Sequence, residues 1–209
     1  MTAPLILDLS HHNTVRDLHF AAAAGIGAAI VKVTQGLGGH DQMYAPHAAK
    51  VKEAGLRLGA YHFGSGAASG AAQAQYFLKM LVADGGIPQV LALDVENNPG
   101  GVTMNLPQAE EFVNTVRAAH PISTVIVYGG SLLREMRIPS TSCLATCPLW
   151  IAAYTSGVPK TIPPWTSWML WQYTDKQGAI PDAPDTLDGY DLTTTHDGLA
   201  TLQHLWNEA

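Results

Sequence analysis

The 209-residue chain is poor in charge. Asp, Glu, Lys and Arg make up 13% of it, about half the usual share, while hydrophobic residues make up 47%. So little charge beside so much apolar material excludes a disordered polyelectrolyte, and the length is that of one catalytic-sized domain, 1–209. Basic residues are scarcer than acidic ones, 11 against 17, and none of them gather into the stripe that tracks a phosphate backbone. Nucleic acid is therefore not an expected partner. Long apolar runs are missing too: none approaches the roughly 20 residues that span a bilayer, so no membrane partner is expected. The opening Met1-Thr2-Ala3-Pro4-Leu5-Ile6-Leu7-Asp8 has no basic n-region and meets an acid too early for an export signal.

Cysteine is almost absent. Cys143 and Cys147 are spaced to allow a small disulfide loop, two free thiols or half a metal site. With no second pair nearby, a structural role fits best. No His-x-His or His-Glu-x-x-His spacing occurs, so His11, His12, His40 and His62, near Asp8 and Asp41, do not spell a metal site. Neither metal nor cofactor is expected. Also lacking are the Gly-x-Ser-x-Gly elbow of serine hydrolases and a phosphate loop with its lysine.

What is present is an alternation of short β-branched runs with Ala-rich segments. The runs predict strands over Leu5–Leu9, Ala28–Thr34, Leu58–Phe63, Val90–Glu96 and Thr124–Tyr128. Helices are predicted near 14–24, 43–55, 70–83 and 107–119; in the last, Asn105 can cap, Pro107 suits the first turn, and Phe112, Val113 and Val116 share a face. Beyond residue 138 the rhythm changes to strand-like runs without helices, Leu149–Tyr154, Trp168–Tyr173 and Gly189–Leu192. An amphipathic segment at 196–207 carrying Leu199, Leu202, Leu205 and Trp206 closes the chain. The sum is an α/β class: a TIM-like barrel of five βα units followed by about three further strands.

In such a barrel the working residues sit at the carboxyl ends of the strands. There the sequence places Asp8, Lys32-Val33-Thr34-Gln35-Gly36, Tyr61-His62-Phe63, Asp94 with Glu96, Tyr128, Tyr154, Gln172-Tyr173 and Asp191. Asp94 and Glu96, two apart on a strand, leave the same face about 6–7 Å apart at Cα. Repulsion and burial then raise one of the two pKa values, giving the protonated acid beside a carboxylate that glycosidic cleavage needs. An isolated Asp-x-Glu is equally a solvated strand end, and Asp8 and Asp191 are equally structural acids. Position on one rim is what favours chemistry. Tyr61, Phe63, Tyr128, Tyr154 and the Gln172 amide are the candidate substrate-binding residues, since sugars offer apolar CH faces and hydroxyls to such groups.

The ordered set resembles the family 25 glycoside hydrolases, the N-acetylmuramidases of bacteria, phages and fungi. It comprises Asp8-Leu9-Ser10, Lys32 to Gly36 followed by Asp41, Gly59-Ala60-Tyr61-His62-Phe63, Gln73-Ala74-Gln75-Tyr76-Phe77, Leu93-Asp94-Val95-Glu96, Tyr128-Gly129, Leu149 to Tyr154, Trp171-Gln172-Tyr173 and Tyr190-Asp191-Leu192. The resemblance implies a flattened barrel that cleaves the β-1,4 bond from N-acetylmuramic acid to N-acetylglucosamine in bacterial peptidoglycan. Glu96 would be the general acid, Asp94 would steady the substrate's own acetamido nucleophile, and Asp8 and Asp191 would complete an acidic quartet. No cofactor is implied, and a monomer is expected. A cytoplasmic origin and a cell-wall target fit either a phage endolysin released through a holin or an autolysin. One departure stands out: the family usually carries Glu where this chain has Gln35, which removes a charge and is expected to alter a neighbouring carboxylate or the pH optimum. Asn13, where Gln is common, is another. A non-catalytic glycan-binding barrel and a metal-dependent hydrolase using His11, His12 and Asp8 are the alternatives.

Overall fold

The structure, a computed structural model, describes residues 4–174 and 187–207; the first three residues of the N-terminal stretch lie outside it. In chain order the elements are β1 (Leu5–Leu9), β2 (Thr14–Val15), β3 (Ile26–Gln35), β4 (Gly39–His40), α1 (Tyr44–Glu53), β5 (Arg57–Phe63), α2 (Gly70–Ala83) and β6 (Val90–Asp94). Then follow α3 (Leu106–Ala119), β7 (Thr124–Gly129), α4 (Ser131–Glu135), a 3-10 turn at Cys143–Thr146, β8 (Leu149–Ala152), β9 (Leu170–Gln172), β10 (Leu187–Asp188), β11 (Asp191–Thr195) and α5 (Leu199–Leu205).

Eight strands close into a barrel in the order β1, β3, β5, β6, β7, β8, β9, β11 and back to β1. All neighbours are parallel except β11, which runs antiparallel to both β9 and β1. β4 folds back on β3 as a hairpin, and β2 pairs with β10 in a separate ribbon. Of the barrel strands, five in the first 129 residues (β1, β3, β5, β6, β7) and three in the remainder (β8, β9, β11) match the sequence-based count.

The strands are apolar on both faces because both faces are covered. Ile6, Ile30, Val90, Ala92, Ile126, Trp150 and Leu170 fill the barrel interior, while Leu7, Leu9, Val31, Val33, Leu91 and Leu93 meet the surrounding helices. The amino-terminal mouth is plugged by α5: Leu202, Leu205 and Trp206 are buried there, the Trp206 indole donates to Leu58 O at 3.0 Å, and Thr124 Oγ1 donates to Leu205 O at 2.8 Å. Leu199, expected on the same apolar face, is instead exposed. With one end sealed by apolar packing, only the carboxyl end is left for chemistry.

Helix α3 forms as its sequence signals. Asn105 Oδ1 accepts from Gln108 N and Gln108 Oε1 from Asn105 N, both at 3.0 Å, Pro107 lies in the first turn, and Phe112, Val113 and Val116 are buried. It crosses α2 so closely that a Cβ at Gly70 would come within 1.8 Å of Gln108 O, which only glycine permits.

Three expectations are corrected. The segment 14–24 is not a helix: Thr14–Val15 are drawn into the ribbon with Leu187–Asp188, and what remains closes in short turns, Ala21 N to Leu18 O at 2.9 Å and Gly25 N to Ala22 O at 3.1 Å, too short to nucleate one. Strand β6 stops at Asp94, two residues before the expected end, because Gly64 N and Val95 N make its last cross-barrel bonds, to Asp94 O and Tyr128 O. Strands β8 and β9 are likewise shorter than predicted. Both cysteines are free thiols packed by the 3-10 turn; burial pushes Cys147 up to about 12, so it is an inert packing residue.

Candidate active site

Strand periodicity carries the interior face upward from apolar to polar. On β1 the inward sequence is Ile6 then Asp8; on β6, Val90, Ala92, Asp94; on β7, Ile126 then Tyr128; on β8, Trp150, Ala152 and, just beyond, Tyr154. The inward side chains at the carboxyl end enclose a cleft of about 420 Å³. Asp8, Asp94, Glu96, Asp191, Tyr61, Phe63, Tyr128 and Tyr154 all line it. Asp191 faces Asp8 directly across the β1–β11 pair.

Gln172 is placed differently from the expectation. It is fully buried beneath the cleft rather than lining it, and its amide is spent on neighbours: Oε1 accepts from the hydroxyls of Tyr128 and Tyr154, each at 2.7 Å, while Nε2 donates to Asp8 Oδ2 at 2.8 Å. One amide thus sets the positions of two ring hydroxyls and one acid. The aromatic pair also differs in exposure: Tyr128 is buried with its ring edge-on to Trp150, whereas Tyr154 is half exposed at the rim.

Carboxylates crowd this space. Burial, with the charges of Asp191 and Glu96, pushes Asp8 up to about 8, against hydrogen bonds from Gln172 and Tyr61 that pull it down. Burial and the charges of Glu96 and Asp8 likewise hold Asp94 well above the ordinary carboxylate range, with Lys32 opposing them. Asp94 Oδ1 is buried without a hydrogen-bond partner, a costly state for a carboxyl oxygen unless something that enters the cleft satisfies it. Burial and the nearby carboxylates push Tyr61 and Tyr128 up, so both hydroxyls keep their protons and serve as donors.

The walls are braced from outside. His62 Nδ1 meets Thr34 Oγ1 at 2.8 Å and Nε2 meets Gln73 Oε1 at 3.1 Å, while the ring stacks on Phe112; burial pushes His62 down to about 4, so it is a neutral strut between β3, β5 and α2. Asp41 Oδ2 holds both His11 N and His11 Nδ1, at 3.0 and 2.7 Å. Asn13 ties Ser10 N to Gly189 O, locking the loops after β1 and before β11 together. His11 therefore turns toward Asp41, and among the described residues no group of three or more His, Cys, Asp or Glu is arranged to hold a metal. Ser10, His12, Asn13 and Lys32 also line the cleft; the sequence sets them at the ends of the first two strands but does not single them out as substrate-binding. Lys32 had a readable signal, a lone charge inside an otherwise apolar strand.

The sequence model of the glycosyl hydrolases family 25 matches residues 7–182. The chain belongs to that family. Lysozyme M1 of Streptomyces globisporus is 28% identical to this family 25 chain over 184 residues, which is 80% of the chain and 60% of Lysozyme M1, so the chain spans about three fifths of that relative's length. Among solved structures, the CTP1L endolysin is similar with a TM-score of 0.79 and 25% identity, covering 99% of this chain and 70% of its own. A family 25 lysozyme from Aspergillus fumigatus has a TM-score of 0.76 and 26% identity, covering 98% and 99%. The barrel of this family 25 member is thus shared along its whole length.

Proposed function

We propose that the chain is a muramidase: a monomeric, cofactor-free enzyme that hydrolyses the β-1,4 bond from N-acetylmuramic acid to N-acetylglucosamine in bacterial peptidoglycan, acting at the cell wall. The observation that carries this reading is the Asp94–Glu96 pair, set at the carboxyl end of a barrel strand in a cleft of four acids, with one buried Asp94 oxygen lacking a partner. Family membership and relatives named lysozymes support it. All four acids come from one chain, so a monomer is a complete unit.

Two carboxyls that raise each other's proton affinity titrate as a unit and share one proton over a range of pH. With substrate bound, the 2-acetamido N–H is the donor that Asp94 Oδ1 lacks. Accepting it favours the ionised form of Asp94 and leaves the shared proton on Glu96. Glu96 then gives that proton to the glycosidic oxygen as the C1–O bond breaks, and the acetamido oxygen closes on C1. Water adds to C1 in the second step, reopens the ring and returns its proton to Glu96, with retention of configuration. Tyr61 and Tyr128, whose protons go to Asp8 and Gln172, offer the sugar their hydroxyl oxygens as acceptors, and Tyr154 offers a ring face at the rim.

The decisive experiment is digestion of purified peptidoglycan followed by mass spectrometry of the reduced products. Muramic acid at the new reducing ends is expected from wild type, with Glu96→Gln slower by about 10²–10⁴-fold but still binding. Glucosamine at the reducing ends would overturn the bond assignment. No release by either protein with binding intact would make the chain a glycan-binding barrel.

A further inference from the structure

Lys32 is the one Lys or Arg among the described residues lining the cleft, and it is buried on the inward face of β3. Its contacts are unusual for a buried ammonium. Nζ donates to Gln35 Oε1 at 2.9 Å and sits 5.1 Å from the centroid of the Phe63 ring. Both partners hold the ammonium in place, and neither carries a charge that cancels it. We propose that Gln35, by being neutral where it meets the Lys32 ammonium, leaves that charge to the cleft, where its field sets the pH window in which the acids work. Gln35 touches no reacting atom; it acts through Lys32.

The titratable groups that share the cleft with this ammonium come from several elements. Asp8 lies on β1, Tyr61 on β5, Asp94 and Glu96 at the end of β6, Asp191 on β11 and His12 in the loop after β1. On its other side a smaller cavity of about 100 Å³, which Lys32 and Gln35 also line, adds His11, His40 and Asp41. Asp41 also accepts from His11, and it acts on Lys32 together with the cleft acids Asp94 and Asp8. Burial lowers the Lys32 pKa, but Asp94, Asp41 and Asp8 oppose that shift, and the same attraction read from Asp94 lowers its proton affinity. A carboxylate at position 35 would take the place of the Gln35 oxygen and cancel much of this field. Gln35 is exposed, so that exchange is tolerated by the fold.

The proposal rests on the muramidase reading for its turnover assay but not for its second measurement. kcat/KM on solubilised peptidoglycan is followed against pH for wild type, Gln35→Glu, Gln35→Leu, Lys32→Arg and Lys32→Met. With less positive field both carboxyl titrations move up, so Gln35→Glu shifts both limbs of the profile upward by about half to one pH unit, and Lys32→Met by more. Gln35→Leu and Lys32→Arg, which keep the charge, stay near wild type. Limbs unmoved in Gln35→Glu, or moved equally in Gln35→Leu, would show a merely structural contact and overturn the proposal. A carbon-13 NMR titration of the Asp94 carboxyl reads the same field without turnover. It is expected to rise in Gln35→Glu by a similar amount, and an unchanged titration overturns the proposal even if the chain proves inactive on peptidoglycan.

Discussion

Asp8→Asn should make the protein more stable and less active, and the two effects have one cause. In the folded chain burial, and then the charges of Asp191 and Glu96, raise Asp8 from 3.8 to about 8. Between those pH values the unfolded chain has released the proton and the folded chain has kept it. Unfolding then releases a proton, and stability falls as pH rises from about 4 to about 8, levelling off above. Each unit of difference is worth about 1.4 kcal/mol, so a gap of about four units sets a ceiling near 5–6 kcal/mol. The cleft is open to water and Gln172 and Tyr61 remain bonded, so we expect about 2–3 kcal/mol at pH 8. Asparagine preserves the geometry, since its oxygen still accepts from Gln172 Nε2. Urea unfolding at pH 4, 6 and 8 is the assay: the variant's advantage should be near zero at pH 4 and grow with pH. An advantage that is constant with pH, or a variant less stable at pH 8, would refute the electrostatic account.

Two further predictions concern the fold. His47 is fully buried on α1 with neither ring nitrogen hydrogen-bonded, and burial lowers its pKa, so stability should drop as pH falls below about 6.5, where only the unfolded chain takes up the proton. His47→Leu is expected to gain about 1 kcal/mol at neutral pH and more at pH 5, measured by urea midpoint; a loss at both would refute it. Gly70→Ala should cost about 2–3 kcal/mol, because the added methyl meets the backbone of α3 rather than a movable side chain. An unchanged melting temperature would show that α2 and α3 separate freely.

The sequence disclosed most where local patterning and barrel geometry agree. Asp8 and Asp94 were readable because each lies at the carboxyl end of an apolar strand on the inward face, so period-two alternation aims them at the cleft. Asp191, expected at a strand's end, instead opens β11, whose antiparallel course brings its first residue to the same rim. The false helix at 14–24 failed for the opposite reason. Its alanines favour a helix locally, but Thr14–Val15 pair with Leu187–Asp188, more than 170 residues away, and no local rule sees that partner. Gln172 looked like a sugar ligand because amides commonly are. Its service to Tyr128, Tyr154 and Asp8 depends on three strands meeting, which only the folded barrel shows. Lys32 was visible as a motif residue, but its neutral company of Gln35 and Phe63 was not.

The antiparallel β11 has a consequence for when the site comes into being. It is the strand that closes the barrel against β1, and it sets Asp191 opposite Asp8. A growing chain that has emerged as far as β9 already holds Asp8, Asp94 and Glu96, yet β1 then has β3 alone beside it and the barrel stands open along one seam. The cleft gains its fourth acid and its final wall in the same event, after the other seven barrel strands have been made. The site is thereby assembled in a single late step, and chains that stop short of β11 carry no complete set of acids.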